Sequence, residues 1–272
     1  MKKTFRTLLL LLLLTIGLGM GGCRPAPAAS GRPVLLVSIA PLQYLLDSLA
    51  GGRMEVQALV PRGASPETFE PSPAQVVLFG KAAGYAGIGL IGFERAWAGR
   101  IAREYPGLPF CNLSEGLPLI GDSLRPDPHV WMSPRNMASM ASRACRFLCG
   151  VDPEGAGFYR GRRDRLLRRL ALLSDSVRSL LPAQPVAFVS YHPTLTYFAR
   201  EYGLTQIPIE ADGKEPSARR LRELAATVRE SRARVIFVQP EFGKRPAQNL
   251  SEATGLPIET VDPLSPDWER EL

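Results

Sequence analysis

The sequence predicts an α/β protein of two lobes, each with a mainly parallel sheet flanked by helices, bridged by one long rigid helix. Three observations predict it. Short apolar runs alternate with helical patterns along most of the 272 residues, as expected when helices cover both faces of parallel sheets. Proline and glycine punctuate the joins between these runs. One stretch, 152–182, breaks the rhythm, with no internal proline between Pro153 and Pro182. A helix of roughly thirty residues spans about 45 Å, enough to cross from one lobe to another.

In chain order, residues 33–39 read as a buried strand and 41–50 as a helix with Pro41 in its first turn. Strands are expected at 54–60, 83–90 and 108–113, with a helix over 93–105. Ser133-Pro134 opens a helix running to about Leu148. These elements make an N-terminal lobe over 33–151. Beyond the bridging helix (152–182), a C-terminal lobe over 183–272 repeats the rhythm. Its strands are expected at 185–190, 204–209, 234–239 and 258–261, and its helices at 193–202, 217–231 and 246–254. Gly203 suits the end of the first of these helices.

The N-terminus reads as an export signal. Lys2, Lys3 and Arg6 precede the apolar run Leu8–Leu14, and Met20-Gly21-Gly22 places small residues before Cys23. A cysteine there resembles the cleavage box of bacterial lipoproteins, so 1–23 is expected to be a signal peptide and Cys23 the lipidated residue. Residues 24–32 read as a flexible tether. Cys111, Cys145 and Cys149 remain, an odd number that argues against a disulfide framework. Cys145 and Cys149 share a helical face and are expected to act as small buried hydrophobes.

The net charge of +7 falls to +4 once Lys2, Lys3 and Arg6 are removed, leaving 30 basic against 26 acidic residues. No nucleic-acid partner is expected. The arginines at 160, 162, 163, 165, 168 and 169 interleave with Leu166, Leu167, Leu170 and Leu173, as on the solvated face of an amphipathic helix. Gly80-Lys81, Gly213-Lys214 and Gly243-Lys244 lack the spacing of a phosphate-binding loop, so any ATPase is another chain.

The chain has two histidines, both placed for presentation: Asp127-Pro128-His129-Val130-Trp131 and Ser190-Tyr191-His192-Pro193. Neutral imidazole is the commonest protein ligand for divalent transition metals. His192 follows the first strand of the second lobe, and open α/β sheets gather ligands at such carboxyl ends. Glu67, after the second strand, and Asp262, after the last, match in kind. Two donors from each lobe would converge across a cleft, and two imidazoles with two carboxylates suffice for a closed site. Asp267 is the nearest substitute for Asp262.

The chain resembles the zinc/manganese solute-binding lipoproteins of bacterial ABC importers. The matching segments are Val60–Pro66, Glu70–Pro73, Asp127–Pro134, Tyr191-His192-Pro193, Tyr197–Leu204, Glu215-Pro216-Ser217 and Val235–Phe242. The resemblance implies two α/β lobes bridged by a rigid helix and a zinc or manganese ion as cargo. It also implies an ABC permease as partner, a lipid anchor in the membrane, a monomer, and no enzymatic activity. It places ligand histidines at His129 and His192 and the last acidic ligand near Asp262. Glu67 departs from the pattern, since the family usually has histidine after Gly-Ala-Ser-Pro. With two histidines the chain cannot carry the histidine-rich acidic loop of many zinc members, and the family normally closes with a further helix, whereas this sequence stops at Leu272, so either a trimmed second lobe or an incomplete sequence is expected.

Two rival readings have their own requirements. A secreted zinc hydrolase needs an open coordination position and a general base. No His-Glu-x-x-His occurs, and nothing in the sequence positions Glu70 or Glu241 as that base. A siderophore or cobalamin receptor of the same two-lobe plan needs a wide cleft lined by aromatic residues or arginine.

Overall fold

A computed structural model describes residues 31–122, 124–210 and 215–272. The signal segment, Cys23 and most of the tether lie outside the described residues, as do Ser123 and 211–214. The first sheet contains β1 (Val34–Val37), β2 (Glu55–Ala58), β3 (Gly84–Gly87) and β4 (Phe110–Asn112) in the order β2-β1-β3-β4. All three pairings are parallel. The second contains β5 (Ala187–Ser190), β6 (Thr205–Pro208), β7 (Ala233–Val238) and β8 (Ile258–Thr260) in the order β6-β5-β7-β8, again all parallel. The two lobes therefore share one topology. Its switch point, where strand order reverses, falls between β1 and β3 in one lobe and between β5 and β7 in the other.

The helices of the first lobe are α1 (Ala40–Ala50), α2 (Pro73–Phe79), α3 (Gly92–Glu104) and α4 (Pro134–Val151). Helix α2 has no counterpart in the sequence reading. It is started locally: Ser72 Oγ accepts from the Gln75 N–H, and the Gln75 side chain returns to the Ser72 N–H, a reciprocal cap. The bridge is not one unbroken helix from 152. A short helical turn at Pro153–Gly155 precedes α5 (Ala156–Leu180). Asp152 caps that turn through the Gly155 N–H and pairs with Arg53 at 2.7 Å. A Cβ at Gly155 would lie 2.5 Å from Asp152 Oδ2 and 2.6 Å from the Tyr159 ring, so a larger residue there would displace these side chains. Helix α5 buries Tyr159, Leu166, Leu170 and Val177 against α4 and α1 and leaves Arg160, Arg165 and Arg168 in solvent, as its amphipathic pattern requires.

The second lobe adds α6 (Thr196–Tyr202), α7 (Ala218–Glu230), α8 (Arg245–Thr254) and the short α9 (Trp268–Glu271). Gly203 ends α6 with φ 69°, the left-handed conformation that glycine adopts without strain. Cys111 and Cys145 are buried, Cys149 is partly so, and all three are free. Among the described residues no helix is long and apolar enough to cross a membrane.

The larger apolar core crosses between the lobes. Phe188, Leu195, Tyr197, Ala199, Val261 and Trp268 join a cluster otherwise built from the first lobe and the helices α4 and α5. Trp131, fully buried, donates its indole N–H to Pro263 O at 2.8 Å. Burying such a side chain contributes about 3 kcal/mol, and the hydrogen bond satisfies its polar edge. Tyr197 donates to Asp127 O at 2.8 Å and accepts from the Ile120 N–H. Ser133 donates to Glu201 of α6. Loops from one lobe are thus fastened to elements of the other.

Candidate metal centre

Three of the four residues expected from sequence come together. Glu67, His129 and His192 each offer a ligand atom, and these atoms lie within 4.8 Å of one another. Glu67 sits on the loop after β2, where Ser65 Oγ accepts its N–H. His129 stands just before the helical turn Val130–Met132, anchored by the buried Trp131. His192 directly follows β5, at the switch point of the second sheet.

Each imidazole has its Nδ1 held by a carboxylate. His129 Nδ1 lies 2.8 Å from Asp127 Oδ1, which also accepts the His129 backbone N–H. His192 Nδ1 lies 2.6 Å from Glu210 Oε1. A carboxylate on Nδ1 fixes the tautomer and leaves Nε2 for an ion. His192 Nε2 is buried and has no hydrogen-bond partner among the described residues; Glu67 Oε1 lies 2.9 Å away, but not in hydrogen-bonding geometry. A buried Nε2 facing a carboxylate oxygen at 2.9 Å, with Nδ1 already held, presents two atoms able to ligate one ion. The rings of His129 and His192 meet edge to face at 5.1 Å, and Phe242 stacks on His192 at 5.4 Å.

The electrostatics follow from these neighbours. Burial opposes a charge on His192, but Glu67 and Glu210 outweigh it and push its pKa up to about 9. His192 in turn holds Glu67 below the ordinary carboxylate range. Burial raises Asp127, yet its bond to His129 prevails and its carboxyl sits lower than usual. Burial pushes Glu241 up, and the charge of Asp262 adds to it.

Asp262 stands outside the three-residue group. It begins the loop after β8, where its Oδ1 accepts the Leu264 N–H at 2.9 Å and its own N–H is held by Glu271. The next residues, Pro263 and Leu264, line the cavity at which the histidines point, together with Ser65, Trp131, Thr194 and Glu241. Sequence reasoning missed Asp127 and Glu210 as partners of the histidines. It also missed buried Gln239, which accepts the His192 N–H and donates to His192 O and Thr194 Oγ1. For Glu210 a signal existed, since it closely follows β6 at the same sheet edge as His192.

The cavity holds about 20 Å³, room for about one water-sized guest. Organic ligands need roughly 300 Å³ or more. A larger cavity of about 610 Å³ lies beside α3, walled by Tyr85, Ile101, Tyr105 and Phe110, and shares no lining residue with the histidine cavity.

Known proteins are similar to this chain in sequence and in fold. A lipoprotein of Streptococcus parasanguinis, the metal ABC transporter substrate-binding lipoprotein FimA, is 24% identical over 95% of this chain and 88% of its own length. The manganese ABC transporter substrate-binding lipoprotein PsaA of Streptococcus pneumoniae is 23% identical over 95% of this chain and 88% of its own. A crystal structure of ZnuA superposes with a TM-score of 0.83 at 31% identity, covering 88% of this chain and 94% of that one. The profile of the family described as "ZnuA: Zinc-uptake complex component A periplasmic" matches residues 35–271, and this chain belongs to that family.

Proposed function

We infer that the chain is the extracytoplasmic receptor of a bacterial metal importer. It binds a divalent transition-metal ion, zinc or manganese, and delivers it to an ABC permease. Coordination bonds form and break, and no covalent chemistry is involved. The observation that carries this reading is the convergence of Glu67, His129 and His192 within 4.8 Å, with both imidazoles oriented by carboxylates at Nδ1. Relatives named as metal and manganese ABC transporter substrate-binding lipoproteins support it. The ion-sized cavity disfavours an organic ligand at this place.

The ion is held by Glu67, His129, His192 and Asp262, two donors from each lobe. Asp262 is the member furthest from the assembled group, and Asp262→Asn should weaken binding if it completes the site. The protein works as a monomer, held to the membrane by lipid on Cys23. Two imidazoles favour zinc, whereas the carboxylates widen tolerance for manganese. Intrinsic affinity for such donors rises from manganese to zinc, so zinc should displace manganese in a competition titration of the purified chain. Tighter manganese binding would show that geometry overrides that order here.

A further inference from the structure

The placement of one more carboxylate goes beyond this donor set, and its reading rests on Glu67, His129 and His192 being ion ligands. Glu241 follows β7, and His192 follows β5, so the two flank the switch-point crevice of the second sheet. Crevices of this kind are where open parallel sheets collect their ligands. Gln239 pins the ends of these strands together by three hydrogen bonds to the His192–Thr194 segment. Phe242 stacks on Tyr191 at 5.0 Å and on His192 at 5.4 Å. Residue 241 is therefore held between two residues that are both fixed against the His192 loop.

Glu241 lines the same small cavity as Glu67, His129 and His192, beside their group of ligand atoms within 4.8 Å rather than in it, and no other side chain donates a hydrogen bond to it among the described residues. Its electrostatic neighbours are Asp262, Glu67 and His192. Two carboxylates, of Glu67 and Glu241, and two imidazoles line this partly buried space of about 20 Å³, and the charge of Asp262, outside that lining, adds to the repulsion on Glu241. Like charges gathered in a poorly solvated place are costly unless a cation neutralises them. A dication is the partner of matching charge and size, and carboxylate oxygen is a competent ligand for zinc and manganese alike.

We propose that Glu241 is a ligand of the ion, sharing the oxygen side of the coordination sphere with Asp262. The ion then has two imidazole nitrogens and up to three carboxylates, more oxygen than nitrogen. The consequence is specificity: this receptor should tolerate oxygen-preferring divalent ions better than a histidine-dominated site would.

The test loads the purified chain and the variants Glu241→Gln, His129→Ala and His192→Ala with Co²⁺ and then titrates with Zn²⁺, after circular dichroism has checked each fold. Glu241→Gln keeps size and polarity while removing the anionic donor. The expected result is at least a tenfold loss of zinc affinity together with a changed cobalt ligand-field spectrum. A weaker affinity with a superimposable spectrum means that Glu241 acts by charge at a distance, and ligation is overturned. Unchanged affinity and spectrum overturn it as well. Normal binding by both histidine variants would instead overturn the underlying site, an outcome separate from failure at Glu241 alone.

Discussion

Acid should weaken ion capture steeply, because a proton and the ion compete for the same nitrogen of His192. Glu67 lies 2.9 Å from Nε2 and Glu210 2.6 Å from Nδ1, and together they overcome burial to raise the imidazole pKa to about 9. Bound ion requires the neutral ring. At pH 7, about two units lower, only about one molecule in a hundred has His192 neutral, and each further unit costs about tenfold, or ~1.4 kcal/mol. Between pH 8 and pH 6 the His192 contribution alone should lower zinc affinity about 100-fold, ~2.7 kcal/mol. Glu67, held below the ordinary carboxylate range by His192, stays charged in this window and adds no slope. Calorimetric titration with zinc at pH 7, repeated in buffers of different ionisation enthalpy, counts the protons released. About one proton per ion should leave His192. A flat affinity between pH 6 and 8, with no proton release, would refute the reasoning. The same linkage has an opposite face in stability. The folded pKa of His192 lies above its unfolded value of about 6.5, so its stabilising contribution is whole below that pH and is lost as pH rises through about 9. Metal-free protein should therefore melt at lower temperature as pH climbs through this range.

Removing the partner of His192 gives a separate check. Glu210→Gln keeps a polar group beside Nδ1 but not its charge, and a loss of 10–100-fold in zinc affinity is expected; the pH dependence should flatten at the same time. Wild-type affinity in that variant would mean that the carboxylate does not orient the ring. At the N-terminus, Cys23→Ser should release the protein from washed membranes into the soluble extracytoplasmic fraction, whereas continued attachment would exclude Cys23 as the lipid carrier.

The alternation of strand and helix was legible because parallel strands buried on both faces read as continuous apolar runs, such as Val34–Val37 and Ala187–Ser190, both largely buried. His192 stood out for a related reason: a residue just after such a run is delivered to the sheet's carboxyl edge, whereas His129 stood out by its Asp127-Pro128-His129-Val130-Trp131 setting. Other features were hidden. Helix α2 was lost among Pro71, Pro73 and the preceding turns, although Ser72 and Gln75 carried its reciprocal cap. The break at Pro153–Gly155 depends on Asp152 pairing with Arg53, 99 residues earlier in the chain. Asp127, two residues before His129, and Glu210, just after β6, carried positional signals, but their pairing with the Nδ1 atoms of the two histidines emerges only from side-chain geometry. Glu241 was visible as a carboxylate, but only the clamp of Gln239 between β5 and β7 brings it to the cavity.

The central claim is that donors from both lobes hold one ion jointly, and stoichiometric titration of wild type, His129→Ala and His192→Ala tests it most directly. Purified wild-type protein, stripped and then titrated with zinc, should bind one ion per chain. Either substitution should abolish that stoichiometric binding while circular dichroism shows the fold intact. One ion bound per chain with wild-type affinity in both variants would contradict the account.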